Sequence, residues 1–340
     1  MIKVGIIGFG GIAQAHRKAY KILEAKGMPV KLSAVCDIEP EKFKGKVRIN
    51  ISENTDTAAD VLIAACYTDP DEMCAKEELD MIDICLPTPL HAPMAIRMLA
   101  RGYHVLSEKP MARNYEDCLS MLNAAEKAGK QLMIGQCLRF YPQYQYVKET
   151  IENGRYGAVI SAFFERLSGP PIWGWKNWFM DESQSGGCLL DMHIHDIDMT
   201  RYLFGEPKEV ACNSAGVYGR YDVVNTRLSY EDDRLVAAVG DWSLPSSFGF
   251  RHSYRIHLEK AALVFENNAV TVFEKDGMTY KPDLSELDGI TNEIAYFTDI
   301  IENNGINTVS PAESAAATVK LIEAMKKSAG KDGAKEIFYI

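Results

Sequence analysis

The first 137 residues alternate between short apolar runs and longer segments in which apolar residues recur with helical period. The runs are bounded by glycine, proline or aspartate, residues that are common where strands end. Apolar runs with little polar alternation are typical of strands covered on both faces. They occupy residues 2–7, 30–37, 81–86, 103–108 and 131–135. Because strands and helices alternate, the pattern predicts an α/β fold with a doubly wound parallel sheet.

The later part of the chain has a different pattern. Between Glu209 and Lys275 apolar and polar residues alternate with period two, which predicts antiparallel strands. Helical patterns follow near residues 292–302 and 311–328. We therefore predict two domains: residues 1–137 carry the parallel sheet, and residues 138–340 form an α+β domain with a large, mostly antiparallel sheet.

Composition narrows the class of protein. The chain has 340 residues, of which 47% are hydrophobic and 25% charged, and its formal net charge is −10. With no long basic run, a nucleic-acid partner is not expected. The 8 cysteines form no C-x-x-C pair and several lie in apolar runs, so we expect reduced, buried thiols. No signal peptide and no apolar run of about 18 residues is present, which predicts a cytoplasmic protein without a membrane span.

A glycine-rich turn follows the first apolar run. Gly8, Gly10 and Ala13 have the spacing G-x-G-x-x-A between a predicted strand and a predicted helix. Gly8 permits a tight turn, Gly10 lets the backbone approach a pyrophosphate, and Ala13 lets the helix pack closely on the strand. The N-terminus of the helix offers N–H groups and a positive dipole end to phosphates. The context predicts a dinucleotide site.

The second predicted strand ends at Asp37. A carboxylate at this position can accept hydrogen bonds from ribose hydroxyls and would repel a 2′-phosphate, which favours NAD over NADP. The alternative is an aspartate that only caps the next helix. The densest basic stretch, residues 42–48, is interpreted as a solvated loop, and residues 38–57 as a loop insertion.

Residues 186–207 carry two histidines and three aspartates among apolar residues, in the sequence GGCLLDMHIHDIDMTRYLFGEP. One continuous helix that ends at Gly205 would place Asp191 and His195 on one face, because they are four residues apart. His193 would then point about 200° away, so the two histidines could not share a zinc ion; on a strand they would converge. The apolar neighbours indicate a largely buried helix, where unpaired charges are costly. A catalytic carboxylate–imidazole pair is therefore favoured over a solvated polar stripe.

Four motifs stand in the order and spacing of the Gfo/Idh/MocA oxidoreductases: GFGGIA, LPTPLH, EKP and GGCLLDMHIHDIDM. The chain resembles this family over nearly its whole length. The resemblance implies an N-terminal NAD(P)-binding Rossmann domain and a C-terminal α/β domain that binds substrate and often forms an oligomer interface. The implied reaction is hydride transfer between a nicotinamide and a secondary alcohol of a sugar or cyclitol.

The resemblance also implies residue roles. The lysine of the E-K-P motif falls on Lys109, which in relatives reaches substrate and cofactor, and the bond before Pro110 is often cis. The D-x-x-x-H pair of the inositol 2-dehydrogenase branch falls on Asp191 and His195, the histidine being the usual acid/base. A base with a pKa near neutrality suits alcohol oxidation; Asp191 would orient it and Lys109 would stabilise the developing alkoxide.

The predicted site has three overlapping groups of residues. The catalytic residues are Lys109, Asp191 and His195. The cofactor contacts are Gly8, Phe9, Gly10, Gly11, Ile12, Asp37, Leu86, Pro87, Thr88, His91, Glu108, Lys109 and Gln136. The substrate contacts are Lys109, Arg139, Trp175, Asp191 and His195. Gly186 and Gly187 are expected to let the chain approach cofactor or substrate closely. The predicted cofactor is NAD, with NADP as the alternative, and no metal is predicted.

The leading hypothesis is an NAD-dependent dehydrogenase of a polyol, inositol or sugar that assembles as a homodimer or homotetramer. Two alternatives are a glycoside hydrolase that retains NAD and uses transient oxidation, and a non-enzymatic ligand sensor on the same fold. Trp173, Trp175 and Trp178 either form an apolar wall for a sugar ring or anchor their loop.

Overall fold

A computed structural model describes residues 1–44 and 64–339 of the chain. Most of the proposed loop insertion, from residue 45 to residue 57, lies outside these residues. The chain forms two compact units, the first made of Met1–Cys137 and Gly289–Ala316, the second of Leu138–Asp288 and Ala317–Ile340. The predicted boundary after residue 137 coincides with one of these divisions. The prediction differs from the structure in residues 289–316, which it places in the second domain but which belong to the first unit.

The first unit contains a six-stranded parallel sheet with the strand order β3-β2-β1-β4-β5-β6. Its strands are β1 Ile2–Ile7, β2 Val30–Cys36, β3 Ala65–Tyr67, β4 Met81–Ile84, β5 His104–Glu108 and β6 Leu132–Gly135. The apolar runs that predicted buried strands are almost wholly buried, which is the burial expected when helices cover both faces. The predicted doubly wound parallel sheet is confirmed.

The helices of the chain follow the apolar periodicity closely. They are α1 Gly11–Ala25, α2 Pro70–Lys76, α3 His91–Ala100, α4 Tyr115–Ala128, α5 Pro142–Glu152, α6 Glu182–Ser185, α7 Gly187–Asp191, α8 Ile194–Phe204, α9 Gly289–Glu302 and α10 Ala312–Ala329. Helix α9 buries Ile294, Phe297 and Ile301 and packs against α1, β1 and β6. This apolar face explains why residues 289–316 belong to the first unit.

The second unit is built on a nine-stranded sheet with the order β14-β13-β12-β11-β7-β10-β9-β8-β15. The strands are β7 Val159–Leu167, β8 Glu209–Ala215, β9 Val223–Ser229, β10 Leu235–Asp241, β11 Arg251–Leu258, β12 Ala261–Glu266, β13 Ala269–Glu274, β14 Thr279–Tyr280 and β15 Glu336–Ile337. Every pairing is antiparallel except that of β7 with β10. Burial alternates along the strands, as expected of a sheet covered on one face, and the predicted large antiparallel sheet is confirmed.

No helix in the described part of the chain combines the length and the apolar character that crossing a lipid bilayer requires.

Candidate active site

The glycine turn lies after β1, where the strand order reverses between β1 and β4. In doubly wound sheets ligands bind at the carboxyl ends of the strands at this point. The N–H of Gly8 donates to the carbonyl of Cys36 (2.8 Å), and its φ is +91°. A Cβ on Gly8 would lie 2.5 Å from the carbonyl oxygen of Cys85. The turn therefore needs glycine at this position for both its backbone conformation and its packing.

Gly10 is glycine for a different reason. It is the N-cap of α1 with a φ of −82°, a value that any residue can adopt. A Cβ on Gly10 would meet no atom of the described residues within 4 Å. Because α1 begins at Gly11 with no side-chain cap, no side chain at the N-cap occupies the N–H groups of its first turn, which includes Ile12. These features fit a pyrophosphate that approaches the backbone.

The loop after β4 contains the next predicted cofactor contacts, Leu86, Pro87, Thr88 and His91. The hydroxyl of Thr88 is buried and has no hydrogen-bond partner among residues 1–44 and 64–339. In the loop after β6, Nε2 of the buried Gln136 has no partner either within the part of the chain that the structure describes. Unpaired buried polar groups are costly, so two of them at the carboxyl ends of strands fit a ligand that would bond them.

His91 connects two of these loops. Its Nδ1 lies 2.8 Å from the carbonyl oxygen of Pro110, and its Nε2 lies 2.7 Å from that of Leu86. The ring is 1% exposed. The structure thus gives His91 a bridging position between the β4 and β5 loops, and its direct contact with a cofactor stays a prediction.

Lys109 follows β5 in the half-buried turn that the sequence singled out. The Lys109–Pro110 peptide bond is cis, as the resemblance implied. The N–H of Lys109 donates to Oε2 of Glu108 (3.0 Å), whose Oε1 lies 3.1 Å from Nε2 of His16. Burial raises the pKa of Glu108, but the hydrogen bond from His16 and the positive charges of His16 and Lys109 together outweigh it and hold the pKa below its usual value. Glu108 is therefore a carboxylate anion that contacts a buried histidine of the core and accepts the N–H of Lys109.

The buried side chains that connect to Glu108 were not predicted from the sequence. His16 on α1 and Asp83 on β4 are fully buried and hydrogen-bonded to each other, and Tyr20 donates to Asp83 (2.8 Å). Within the described ranges one group of potential metal ligands occurs, formed by His16, Asp83 and Cys85, with ligand atoms within 4.8 Å of one another. Because His16 and Asp83 already satisfy each other, the group has the character of a core hydrogen-bond network. The sequence signal was Asp83 interrupting an apolar strand.

In the second unit, the predicted single helix over the histidine segment is wrong. The segment forms α7, which ends at Asp191, and α8, which begins at Ile194. The carbonyl of Cys188 accepts the N–H groups of both Met192 and His193, and this turn ends α7. Two short helices separated by Met192 and His193 replace the continuous helix from which a common face for Asp191 and His195 is predicted.

His193 occupies the core beneath the sheet. Its Nε2 lies 3.0 Å from Oγ1 of Thr226 on β9, and the ring is fully buried. Gly240 on β10 provides the space, because a Cβ there would lie 3.0 Å from Nδ1 of His193. Burial, with a smaller effect from the positive charge of Arg166, lowers the pKa of His193 to about 3. His193 is therefore a neutral core residue.

Asp191 and His195 share one property that their neighbours lack. Every other residue from Ser185 to Arg201 is buried, whereas Asp191 and His195 are both partly exposed. The break between α7 and α8 places Asp191 at the end of one helix and His195 in the first turn of the next. Asp191 and His195 are therefore the two residues of this stretch that a ligand in solvent can approach, while the flanking apolar residues hold both helices in the core.

Two buried arginines pair with the remaining aspartates of the segment. Arg139 donates to both carboxylate oxygens of Asp198 (2.7 Å each), which also accepts from Thr318. Arg166 on β7 makes the same two-point contact with Asp196 (2.9 Å each). Arg139 is 2% exposed, so the structure places it in an ion pair of the core, and its contact with a substrate stays a prediction.

The tryptophan loop divides into buried and accessible rings. Trp178 is buried and stacks on Phe179 (4.1 Å between ring centroids), which favours the anchor interpretation for that residue. Trp175 is half-buried, with the ammonium of Lys176 above its ring (4.5 Å), and remains the predicted substrate contact.

Gly186 and Gly187 have a structural explanation. Both have a positive φ, and Cβ atoms on them would lie 2.6 Å from Leu190 and 3.0 Å from Tyr221. Packing within their own unit is sufficient to require glycine at both positions.

Two family models match this chain, one on each side of the boundary after residue 137. The model of an oxidoreductase family with an NAD-binding Rossmann fold matches residues 2–136, and the GFO/IDH/MocA C-terminal domain matches residues 144–264. An inositol 2-dehydrogenase from Rhizobium meliloti (strain 1021) is 27% identical over 94% of this chain and 97% of its own length. A 2,7-anhydro-N-acetylneuraminate hydratase from Escherichia coli (strain K12) is 31% identical over 48% of this chain and 44% of its own length.

Among solved structures, a putative myo-inositol dehydrogenase from Sinorhizobium meliloti 1021 has the same fold, with a TM-score of 0.78 and 24% identity over 100% of both chains. The two domain matches, the strand order of the parallel sheet and the four motifs all indicate the same family. The chain therefore belongs to the Gfo/Idh/MocA family and is an NAD-binding oxidoreductase.

Proposed function

We propose that this oxidoreductase transfers a hydride between NAD and a secondary alcohol of a cyclitol or sugar. One observation carries the proposal: in the stretch from Ser185 to Arg201, Asp191 and His195 are partly exposed, whereas every other residue is buried. A carboxylate and an imidazole exposed at a helix break have the chemistry of an acid/base pair. The similarity to an inositol 2-dehydrogenase over nearly the whole chain supports the substrate class.

The roles follow from the chemistry of alcohol oxidation. NAD accepts the hydride, and this chain has to remove the hydroxyl proton and stabilise the negative charge that develops on oxygen. His195 accepts the proton, and Asp191 orients the imidazole and stabilises its charged form. The ammonium of Lys109 stabilises the developing alkoxide, and Glu108 fixes the backbone of Lys109 through its N–H.

A panel of cyclitols and sugars with NAD tests the proposal, with NADH absorbance as the measurement. We expect one or more of these alcohols to reduce NAD, and His195→Ala to lower the rate by about 10²–10⁴-fold while NADH binding is kept. Glu126→Ala is the control, because Glu126 is exposed on α4, away from the residues proposed for the site and for the sheet interface. No NADH from any alcohol, or equal rates for His195→Ala and the wild type, would refute the proposal.

A second candidate is chemistry in which NAD is retained and no net NADH accumulates. The relative named as a hydratase favours it, since that name describes no net oxidation. Nitrophenyl glycosides and anhydro sugars are the probes. Their consumption without NADH, together with an inactive alcohol panel, would replace the dehydrogenase proposal with this one.

We also propose that the protein is a homo-oligomer whose interface includes the nine-stranded sheet. Leu235 and Phe273 on strands of that sheet are 46% and 45% exposed, a large exposure for apolar side chains. Light scattering on wild type and Phe273→Lys measures the assembly. A monomeric wild type would refute this proposal.

A further inference from the structure

The carboxylate of Asp37, the predicted ribose contact, already has a cation against it. Asp37 is 7% exposed; its Oδ2 accepts the N–H of Phe9 (2.7 Å) and its Oδ1 accepts that of Glu39 (2.9 Å). The ammonium of Lys42 lies 3.1 Å from Oδ1 and 3.0 Å from Oδ2. The basic stretch that was interpreted as a solvated loop thus begins with a lysine that is bound to the site.

The position of Lys42 is fixed by its surroundings. Its side chain is 22% exposed, and its Nζ also lies 3.1 Å from Oε2 of Glu39. It belongs to a short 3-10 helix, Pro40–Phe43, whose Phe43 ring packs on Phe9 in the glycine turn, with 5.9 Å between centroids. The same turn that is expected to hold the pyrophosphate therefore also anchors the segment that presents Lys42.

This cation changes what the site can accept at the ribose 2′ position. A lone carboxylate repels a 2′-phosphate, and sites that bind NADP place a cationic side chain nearby. Opposite charges in contact near a protein surface attract each other more strongly than in bulk water. An ammonium that touches both oxygens of Asp37 offsets part of the negative charge that Asp37 and Glu39 bring to this place, and it provides a partner for a phosphate there.

We propose that Lys42 determines cofactor specificity: it lets this site bind a nucleotide with a 2′-phosphate as well as one with a 2′-hydroxyl. The carboxylate of Asp37 retains the ribose hydroxyls of NAD, and the ammonium of Lys42 turns to the phosphate of NADP. The inference rests on the cofactor site described above and is independent of which alcohol is oxidised.

Titration of the whole protein with NADH and NADPH, followed by nucleotide fluorescence, tests the proposal without a substrate. We expect wild type to bind both, with dissociation constants within about tenfold of each other. Lys42→Met should raise the dissociation constant for NADPH by about tenfold or more. It should raise the dissociation constant for NADH by less than about threefold. Lys42→Arg should keep NADPH binding, and Asp37→Ser should weaken NADH and strengthen NADPH.

Lys31→Met is the control for the loss of one positive charge, because Lys31 is exposed near the start of β2, and Asp37 follows the other end of that strand. Lys31→Met should leave both affinities unchanged. Binding of NADH without NADPH by wild type, or equal effects of Lys42→Met on both nucleotides, would overturn the proposal and leave the NAD site intact. Binding of neither nucleotide would overturn the cofactor site itself.

Discussion

The imidazole Nδ1 of His16 lies 2.8 Å from Oδ2 of Asp83, and neither side chain is exposed to solvent. On the other side of the ring, Nε2 of His16 lies 3.1 Å from Glu108. One ring thus joins α1, which follows the glycine turn, to β4 and to the strand end that precedes Lys109. The network explains how a histidine inside the hydrophobic core keeps the cofactor turn and the E-K-P turn in one rigid unit.

Removal of this ring should destabilise the fold strongly. His16→Ala leaves two carboxylates in the core without their cation, and breaking a buried ion pair in this way costs about 3–5 kcal/mol. Urea unfolding of the variant and of wild type measures the difference. Glu126→Ala, which removes an exposed side chain of α4, should change stability by less than about 0.5 kcal/mol. Equal stability of the two variants would contradict a charged network around His16.

The same network predicts a loss of stability at alkaline pH. Burial lowers the pKa of His16, but the negative charge of Asp83 and the hydrogen bond to it prevail, so the pKa lies well above 6.5. Below about pH 6.5 the folded and unfolded states both carry the proton, and the stabilisation is fully present. Above that pH only the folded state keeps it, so stability falls until the pH passes the folded pKa.

His16→Gln removes this titration and keeps a side chain that can form hydrogen bonds. Above about pH 7, and up to the folded-state pKa of His16, wild type should lose up to about 1.4 kcal/mol more stability per pH unit than His16→Gln. Urea midpoints at a series of pH values measure the two curves. Parallel curves would show that His16 is neutral in the folded protein.

The buried side chains show where sequence reasoning succeeds and where it stops. Apolar runs and helical periods predicted the strands and helices of the parallel sheet and the glycine turn, because each depends on residues that are close together in the chain. The pairing of His16 with Asp83 joins residues 67 positions apart, and no local pattern specifies which carboxylate a buried histidine meets. At the break between α7 and α8, His193 pairs with Thr226, 33 residues further along the chain, and helical periodicity cannot reveal that pairing.

His193 should respond to acid, in contrast to His16. Because burial lowers its pKa to about 3, the folded protein holds the ring neutral, while the unfolded chain takes up a proton near pH 6.5. The unfolded state therefore binds more protons below pH 6.5, and stability falls as pH falls towards the folded pKa. His193→Gln should lose less stability than wild type between about pH 6 and pH 4 in urea unfolding. If His193→Gln lost as much stability as wild type over this pH range, His193 would not contribute to the loss of stability in acid.

The two glycines of the cofactor turn should separate folding from binding. Gly8→Ala places a Cβ against the carbonyl of Cys85 and forces alanine to a φ of +91°, so the variant should lose more than about 1 kcal/mol of stability. Gly10→Ala places a Cβ in open space at a φ of −82° that alanine can adopt. Alanine is a poorer N-cap than glycine, so the unfolding of this variant should match wild type only to within about 1 kcal/mol.

NADH titration then distinguishes the roles of the two positions. In Gly10→Ala the Cβ would occupy the space through which the pyrophosphate approaches the backbone, so we expect the dissociation constant for NADH to rise by about tenfold or more. A stable Gly10→Ala protein that binds NADH as well as wild type does would place the pyrophosphate elsewhere. A stable Gly8→Ala protein would instead contradict the close contact between the glycine turn and the β4 loop. Since the expected loss is in binding for one variant and in folding for the other, each result tests one position alone.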